Sequence, residues 1–242
     1  MIAVAANDLN LRRHCQSKMK VELVSWSQGS CHQGSCPSKS IQDMVAFCAR
    51  VSNPTNQANT ETNERLLRYL IRNQHWSPFE MVSVCLEIET TRDIGRQILR
   101  HRSFSFQEFS QRYAAVDSTE LEQREARAQD KANRQNSVPI ESGSVLEEEW
   151  FLKQAGVAAA ANHAYTWALQ AGIAKEVARA VLPEGMTQSR LYMNGSLRSW
   201  IHYIQLRSAN GTQKEHREVA LACAAAIAPI FPLIAELIQK SD

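Results

Sequence analysis

Apolar and polar residues alternate from Val82 to Ile88, and this alternation constrains the fold more than any other feature of the sequence. Apolar side chains at every second position predict a strand with one buried face. Pro78 precedes the strand and stops any helix that would run into it. Residues 20–28 alternate in the same way and predict a second strand, and residues 187–197 predict a third strand followed by a turn.

Most of the remaining chain has apolar residues at helical spacing. Thr60 is a candidate cap for one helix, and Thr212 and Glu215 have the spacing of a capping box at the start of another. That last helix is Ala-rich and apolar on most faces, which suits the core or a subunit interface. The predicted helices cover residues 38–52, 60–75, 91–101, 144–172 (ended by Gly172), 173–185 (stopped by Pro183), 197–207 and 211–239.

Residues 117–143 are polar and mixed in charge. This composition is typical of a solvated loop or short helix that is mobile. A long insert directly after a segment rich in hydrogen-bond donors is also consistent with a lid.

Composition excludes some classes of protein. The net charge of +2 is too close to zero for a general nucleic-acid binder, so any basic site must be local. No window of about 18 apolar residues predicts a membrane span. The apolar run in residues 1–16 is too short for a secretory signal, and the charges follow it, so we expect a cytoplasmic protein.

The six cysteines are scattered. Cys48, Cys85 and Cys223 lie within apolar patterns and are interpreted as small core residues. Cys31 and Cys36 have a spacing that fits zinc pairs poorly and lack a second pair, which favours a loop with incidental cysteines and no metal.

Residues 100–114, RHRSFSFQEFSQRYA, concentrate charged and hydroxyl side chains. Arg100 and Arg102 flank His101, and two guanidiniums beside an imidazole make a compact site for phosphate or pyrophosphate. Ser110 has no Gly-x-Ser-x-Gly elbow, which favours a hydrogen-bond donor over a nucleophile. The sequence has neither Gly-x-Gly-x-x-Gly nor a P-loop motif.

Arg92 and Arg96 continue the basic residues upstream of Arg100 at a spacing of four. The simpler interpretation of these two is a solvated stripe with distant acidic partners.

Four further side chains stand out. His75 lies before a strand, either as a ligand contact or as a satisfied polar residue. Arg198 and His202 share a helix face, and Arg207 lies about half a turn away, so it serves the same ligand only if the helix ends nearby.

These motifs resemble those of the flavin-dependent thymidylate synthases. The segment from Arg100 to Ser110 has the family's Arg-His-Arg, seven residues and Ser, and SQRY continues it. Other family elements are matched in the right order by ARVS (49–52), HWSPFE (75–80), EVARAVLP (176–183) and LRSWIHYIQLR (197–207), so the resemblance covers roughly residues 20–235.

The resemblance implies a reaction. NADPH reduces bound FAD, methylenetetrahydrofolate gives a one-carbon unit to C5 of dUMP, and a flavin hydride completes the methyl group of dTMP. No enzyme nucleophile is required. The resemblance also implies a homotetramer in which several subunits build each active site.

Roles carried over residue by residue fall into three groups. Arg207 matches the catalytic arginine that favours ionisation at N3 of the uracil, as a guanidinium that keeps its proton can. The implied FAD contacts are Ser52, His75, Ser77, Arg100, His101, Arg102, Glu108, Asn194, Arg198 and His202. The implied dUMP contacts are Gln97, Arg100, Glu108, Ser110, Gln111, Arg112, Arg179 and Arg207.

The chain departs from the family pattern at three positions. Gln107 stands where many members have Asn, and Gln111 where Gly is frequent, which either narrows the phosphate loop or adds a donor. Gly211 falls where some members have a histidine near the flavin, so that contact is absent or supplied otherwise.

We therefore expect an α+β protein with a small, mostly antiparallel sheet flanked by helices, in one domain over residues 1–242, with dUMP and folate as partners and no nucleic-acid polymer or membrane. The alternative is an RNA- or nucleotide-binding module without catalysis, which would use the Arg/His/aromatic stretch as a stacking platform. A flavoprotein that has lost methylation is a third option, against which the intact motif and Arg207 argue.

Overall fold

The strands of the computed structural model, which describes residues 19–29, 40–118 and 121–238, form two sheets. They are β1 (Lys20–Trp26), β2 (Ser83–Thr91), β3 (Phe104–Glu108), β4 (Arg127–Gln129), β5 (Ser137–Pro139) and β6 (Gln188–Ser196). In the described residues, one sheet has the order β1–β2–β6–β3, and the other pairs β4 with β5. The predicted α+β class with an antiparallel sheet is confirmed.

The strand predicted from the alternation is β2. The four side chains expected to point inward are buried: Val82 directly precedes β2, and Val84, Leu86 and Ile88 lie within it. Burying a Val, Leu or Ile side chain stabilises a fold by about 1.5–3 kcal/mol. The apolar face of β2 is therefore sufficient to hold this strand in the core. The predicted strands at 20–28 and 187–197 are confirmed as β1 and β6, but the turn predicted after the second is wrong, because a helix begins at Leu197 directly after β6.

β3 and β6 are antiparallel, and their register is fixed by one close approach. Phe104 lies opposite Gly195, and Glu108 lies opposite Leu191. A Cβ atom on Gly195 would lie 2.7 Å from Cε1 of Phe104, so the buried Phe104 ring occupies the space that any other residue at 195 would need.

Each segment predicted to be helical contains a helix, but two of the predictions are wrong in extent. Residues 173–185 form only two short helices, and the predicted helix over 211–239 is interrupted at residues 228–231, because Pro229 has no N–H to donate. The α-helices are α1 (Ile41–Ala49), α2 (Asn63–Arg72), α3 (Arg92–Ile98), α4 (Val145–Gln170), α5 (Lys175–Ala178), α6 (Leu197–Ser208) and α7 (Lys214–Ile227). Shorter 3-10 helices cover Pro54–Asn56, Ser77–Met81, Arg179–Val181 and Pro232–Leu237.

Both predicted threonine caps are wrong. The N-cap of α2 is Thr62, and the N-cap of α7 is Gln213, in each case without a side-chain capping hydrogen bond. Pro78 lies inside a single 3-10 turn, because proline is tolerated at the first positions of a helix. Gly172 ends the long helix as expected, with a φ of 80° that favours glycine.

Helix α6 is tied to the beginning of β2. The Leu197 backbone N–H donates to the Val82 carbonyl at 2.9 Å, and the indole N–H of Trp200 donates to the Val84 carbonyl at the same distance. Trp200 is fully buried and packs edge-on to Phe104. These contacts place α6 against the face that the alternation of β2 buries.

The sequence left open whether the Ala-rich last helix lies in the core or at a subunit interface, and the structure shows that α7 buries one face in the core. Its buried residues recur at helical spacing and form one face in the core of the same unit as α6. They are His216, Val219, Ala220, Cys223, Ala224 and Ile227.

The polar insert contains a short hairpin, which the sequence did not predict. Arg127–Gln129 pairs with Ser137–Pro139 in place of a helix. Before the hairpin, the Arg124 side chain donates to the Thr91 hydroxyl at 2.7 Å and to the Asp93 carboxylate at 2.8 Å. The insert is therefore anchored by a charge-assisted contact at its first end, and its mobility and its role as a lid stay predictions.

The described residues fall into two compact units. One unit includes residues 89–96 and 109–189, and the other includes residues 20–88, 97–108 and the chain from 190 onward. The single domain over 1–242 stays a prediction. None of the described helices has the length and hydropathy to cross a bilayer.

The cysteines that the structure describes are free. Cys223 is buried, as expected of a core residue, while Cys48 and Cys85 are only half-buried. Cys31 and Cys36 lie outside the described residues, and within the described part of the chain no cluster of His, Cys, Asp and Glu could hold a metal ion.

Gly195→Ala should destabilise the protein by about 1–3 kcal/mol, because the new methyl group would force the Phe104 ring out of its rotamer. Chemical denaturation of both proteins measures the difference. The control is Gly156→Ala in α4, where no atom lies within 4 Å of the place that the new methyl group would take, so it should gain about 0.5–1 kcal/mol. Equal stabilities of Gly195→Ala and the parent would contradict the packing described here.

Candidate functional site

The Arg-His-Arg motif forms the turn between α3 and β3. The Arg100 N–H donates to the Gln97 carbonyl at 3.4 Å, and the Phe104 N–H donates to the His101 carbonyl at 3.3 Å. Arg100 and Arg102 are exposed, and His101 is half-buried between them. The turn therefore presents two guanidiniums outward while its imidazole faces the interior.

His101 meets the last turn of α6. The Nε–H of Arg207 donates to Nε2 of His101 at 2.9 Å. Burial, and then the positive charge of Arg207, lower the pKa of His101 to about 4. The imidazole is therefore neutral at pH 7 and accepts a hydrogen bond that its protonated form could not accept.

A second group of polar residues lies beneath this pair. The ring of His101 packs edge-on to Tyr203 at 4.9 Å, and His216 lies 3.2 Å from the Tyr203 hydroxyl through Nε2. Nδ1 of His216 lies 3.1 Å from Oε1 of Gln97. Burial, followed by the charge of Arg207 and the neighbouring His101, lowers the pKa of His216 to about 3.

The other face of α6 has different partners. Arg198 pairs with the Glu80 carboxylate at 2.9 Å, and the His202 ring packs edge-on to Trp76 at 4.6 Å. Helix α6 ends at Ser208, one residue after Arg207. The half turn between Arg198 and Arg207 therefore separates the HWSPFE segment from the Arg-His-Arg turn.

The two arginines of α3, Arg92 and Arg96, share one acidic partner. Arg92 and Arg96 both approach the Glu184 carboxylate, at 3.9 and 3.6 Å. The distant acidic partner expected for these two arginines is present, although Arg92 is buried, so the stripe is not fully solvated. Arg100 lies beyond the end of α3 and belongs to the turn.

The arginine of the ARVS element is structural. Arg50 is buried and donates to the Asn59 carbonyl at 2.8 Å, to the Thr62 hydroxyl at 3.0 Å and to the Asn63 side chain. This cation holds the end of α1 against the start of α2. Ser52, which the resemblance implies as a flavin contact, is exposed two residues later.

The remaining candidate site residues of the unit that includes residues 20–88 and 97–108 lie at its surface or along β3 and β6. His75 is exposed after a residue in the left-handed region, Gln74, and contacts the Tyr69 ring edge-on at 6.0 Å. Asn194 is exposed and lies opposite Ser105 in the sheet. Ser77 is exposed, and Glu108 and Gln97 are half-buried.

Four candidate dUMP contacts lie in the other unit, around Glu176. Arg112 pairs with the Glu176 carboxylate at 3.5 Å, and Nε of Arg179 donates to the Glu176 carbonyl at 3.3 Å. Ser110 closes the turn that contains Arg112, since its hydroxyl accepts from the Arg112 N–H at 3.4 Å. Gln111 is buried, and its side-chain nitrogen has no hydrogen-bond partner among the described residues.

A cavity of about 520 Å³ opens beside Arg112. Its wall combines two cations and one carboxylate with apolar side chains, so it suits a ligand with an anionic group and an apolar body. The lining residues are Arg112, Leu169, Gly172, Ile173, Ala174, Lys175 and Glu176.

Sequence reasoning missed Tyr203 and His216. The signal for His216 was its position, because it falls in register with Val219, Ala220 and Cys223 on the apolar face of α7. A histidine in such a stripe requires polar partners in the core. Those partners come from α3 and α6, which no local pattern reveals.

The chain is similar to a known protein family and to individual known proteins. The family model described as thymidylate synthase complementing protein matches residues 38–233. A probable flavin-dependent thymidylate synthase of Paramecium bursaria Chlorella virus 1 is 48% identical over 201 residues, which are 82% of this chain and 90% of the relative. The flavin-dependent thymidylate synthase of Synechocystis sp. is 51% identical over 201 residues, with 83% and 90% covered.

A solved structure has a similar fold. The crystal structure of a UMP/dUMP methylase, PolB from Streptomyces cacaoi bound with 5-Br dUMP, matches with a TM-score of 0.72 and 29% sequence identity. The match covers 92% of this chain and 95% of that one.

Acid should destabilise this site through His216. Its pKa is lower in the folded protein than in the unfolded chain, so the unfolded chain binds more protons. The stabilisation is complete above about pH 6.5 and is lost as the pH falls toward about 3, by at most about 1.4 kcal/mol per pH unit. Urea unfolding of His216→Asn should show a shallower decline over this range than the parent.

The control for this experiment is His163→Asn, since His163 is exposed on α4. It should follow the parent at every pH. An unchanged slope in His216→Asn would mean that another group carries the acid sensitivity.

Proposed function

Since the chain belongs to the flavin-dependent thymidylate synthase family, we propose that it converts dUMP to dTMP with methylenetetrahydrofolate as carbon donor and NADPH as reductant. That the protein is a thymidylate synthase follows from the family match and from relatives at about half identity over most of both chains. The similarity to a dUMP methylase supports dUMP as the substrate.

The observation that carries the proposal is the contact between His101 and Arg207. It joins the Arg-His-Arg motif to the C-terminal helix, over 106 positions of sequence. Both residues are implied site residues, and their hydrogen bond leaves the two Nη groups of Arg207 for a ligand. A guanidinium held this way stabilises negative charge that develops on a bound pyrimidine ring.

The donor set of this turn fits FAD. Arg100 and Arg102 have no ion-pair partner among the described residues, and they flank a neutral imidazole. Two unpaired guanidiniums of this kind match the charge of a pyrophosphate. We propose that Arg100, His101, Arg102, Arg198 and His202 hold the FAD, with Ser52, His75, Ser77, Glu108 and Asn194 as further contacts. FAD would supply the hydride.

The phosphate of dUMP is proposed to bind around Arg112. Arg112 lines the cavity together with Lys175, whose ammonium donates to the Tyr113 carbonyl at 3.1 Å. Arg179, Ser110 and Gln111 are proposed as neighbouring contacts, and Gln111 has a buried amide nitrogen that can donate. Gln97, Arg100, Glu108 and Arg207 are the other proposed dUMP contacts, with Arg207 at the uracil ring, and in the proposed homotetramer they can come from a different subunit than Arg112.

A homotetramer is also part of the proposal. Helix α4 exposes a series of large apolar residues, and such residues favour burial against another chain. They are Val145, Leu146, Trp150, Leu152, Val157 and Trp167. The cytoplasmic location stays a prediction.

An anaerobic assay tests the proposed reaction. The flavin absorbance of the purified holoprotein should bleach with NADPH, and dTMP should form only when dUMP and methylenetetrahydrofolate are both added. Bleaching without dTMP formation would support a flavoprotein that has lost methylation. A protein that binds no FAD would contradict the proposed FAD contacts. RNA binding with a steep salt dependence would support the non-catalytic alternative.

Arg207→Lys should lower the rate of dTMP formation by roughly 10²-fold, because an ammonium is a compact point charge without the planar fork that lets a guanidinium bond to His101 on one side and to the ring on the other. Single-turnover kinetics with the reduced enzyme measure the effect. The control is Arg190→Lys, since Arg190 lies on β6 and pairs with Glu87 at 3.7 Å. A similar loss in both variants would argue against a specific role for Arg207.

Arg112→Ala should raise the KM for dUMP by about 10- to 100-fold, the effect of losing one charge-assisted hydrogen bond. Weak binding of deoxyuridine, which has no phosphate, should stay at the parent level. Arg134→Ala, at the turn of the exposed hairpin, is the control. A loss of deoxyuridine binding in Arg112→Ala would show that the residue does not act through the phosphate.

A further inference from the structure

We propose that Glu215 and His216 are positioning residues that hold the side-chain amide of Gln97 in one orientation for the nucleotide. The inference rests on the proposed function, because it takes Gln97 as a contact of dUMP. The amide oxygen and nitrogen of a glutamine have nearly the same shape, so only hydrogen-bond partners decide which one faces a ligand.

Five side chains form a continuous hydrogen-bonded chain in one unit. Gln213 Nε2 lies 2.9 Å from Glu215 Oε2, and Gln97 Nε2 lies 2.7 Å from Gln213 Oε1. The chain continues from Gln97 Oε1 to His216 Nδ1 at 3.1 Å and from His216 Nε2 to the Tyr203 hydroxyl at 3.2 Å. It links the start of α7 to the end of α3 and the middle of α6.

The Glu215 carboxylate at one end decides in which direction the side chains of this hydrogen-bonded chain donate. Glu215 can only accept, so Gln213 must donate with its nitrogen and turn its oxygen to Gln97. Gln97 must then donate with its own nitrogen, which leaves its oxygen for His216. The oxygen accepts only, so His216 carries its hydrogen on Nδ1.

At the other end of the hydrogen-bonded chain, the Tyr203 hydroxyl is compatible with donation in either direction. The Tyr203 hydroxyl donates to Nε2 of His216 in this arrangement, but a hydroxyl can also accept. Tyr203 and His216 are both buried, and burial keeps the phenol protonated by raising the pKa of Tyr203. The direction of the whole chain therefore depends on the negative charge of Glu215.

This arrangement fixes what Gln97 offers to a nucleotide. Each amide group has two N–H donors and two acceptor lone pairs, and the chain uses one of each on Gln97. One N–H and one lone pair remain, each at a defined place. If the chain reversed, the two would exchange places, and a nucleotide oxygen that had accepted from the N–H would face the amide oxygen.

Glu215→Gln tests the proposal, because glutamine has the same shape and can donate as well as accept. In protein labelled with ¹⁵N-histidine, the parent His216 should carry hydrogen on Nδ1 alone, and the variant should show both tautomers. The KM for dUMP should rise about three- to tenfold while kcat stays within about twofold, since the bound nucleotide loses the same hydrogen bond in the ground state and in the transition state.

The control is Glu218→Gln on the same helix, where Glu218 is paired with Lys214 at 3.9 Å. It should keep the parent KM and the parent tautomer. The tautomer readout needs no turnover, so failure of the proposed function would appear separately, as a parent protein that makes no dTMP.

Three results would overturn the proposal. One is a parent His216 that carries hydrogen on Nε2. Another is a Glu215→Gln protein with the parent tautomer and the parent KM. The third is a change in either readout without the other, because the KM would then not depend on the direction of the chain.

Discussion

The antiparallel pairing of β3 with β6 is the constraint on which the candidate site depends. Phe104 opposite Gly195 sets the register, so the start of β3 lies beside the end of β6. The Arg-His-Arg turn precedes β3 by one residue, and α6 follows β6 directly. Pairing two strands therefore brings together two segments that are about 100 residues apart in the sequence, before any side chain of the site makes a contact. A slip of one residue would reverse the faces of both strands and separate the turn from α6.

The site combines guanidiniums with imidazoles that carry no charge. Arg207 can approach His101 to 2.9 Å because burial keeps the imidazole neutral. Two like charges at that distance would repel each other strongly in a poorly solvated place. The neutral ring instead accepts a hydrogen bond and fixes the direction of the guanidinium. His216, which is more deeply buried than His101, is also neutral, and its two ring nitrogens link Tyr203 to Gln97.

How far the sequence predicted the structure depended on the range of the interactions. β2 and α4 were predictable because alternation and helical spacing are local patterns, and the family motifs pointed to Arg207 and the Arg-His-Arg turn. The threonine caps at 60 and 212 failed because helix starts depend on backbone geometry that several nearby residues can satisfy. The β4–β5 hairpin was missed because its strands have three residues each and bury no apolar face. His216 was missed because its partners are distant in sequence.

The close approach of Phe104 to Gly195 has a consequence for the history of the family. A side chain at 195 and a large ring at 104 cannot occupy the same space, so neither position is free to drift alone. A descendant that gained alanine or serine at 195 would be expected to carry a smaller residue at 104 as well. The two positions should therefore covary among relatives, although they lie 91 residues apart in the chain.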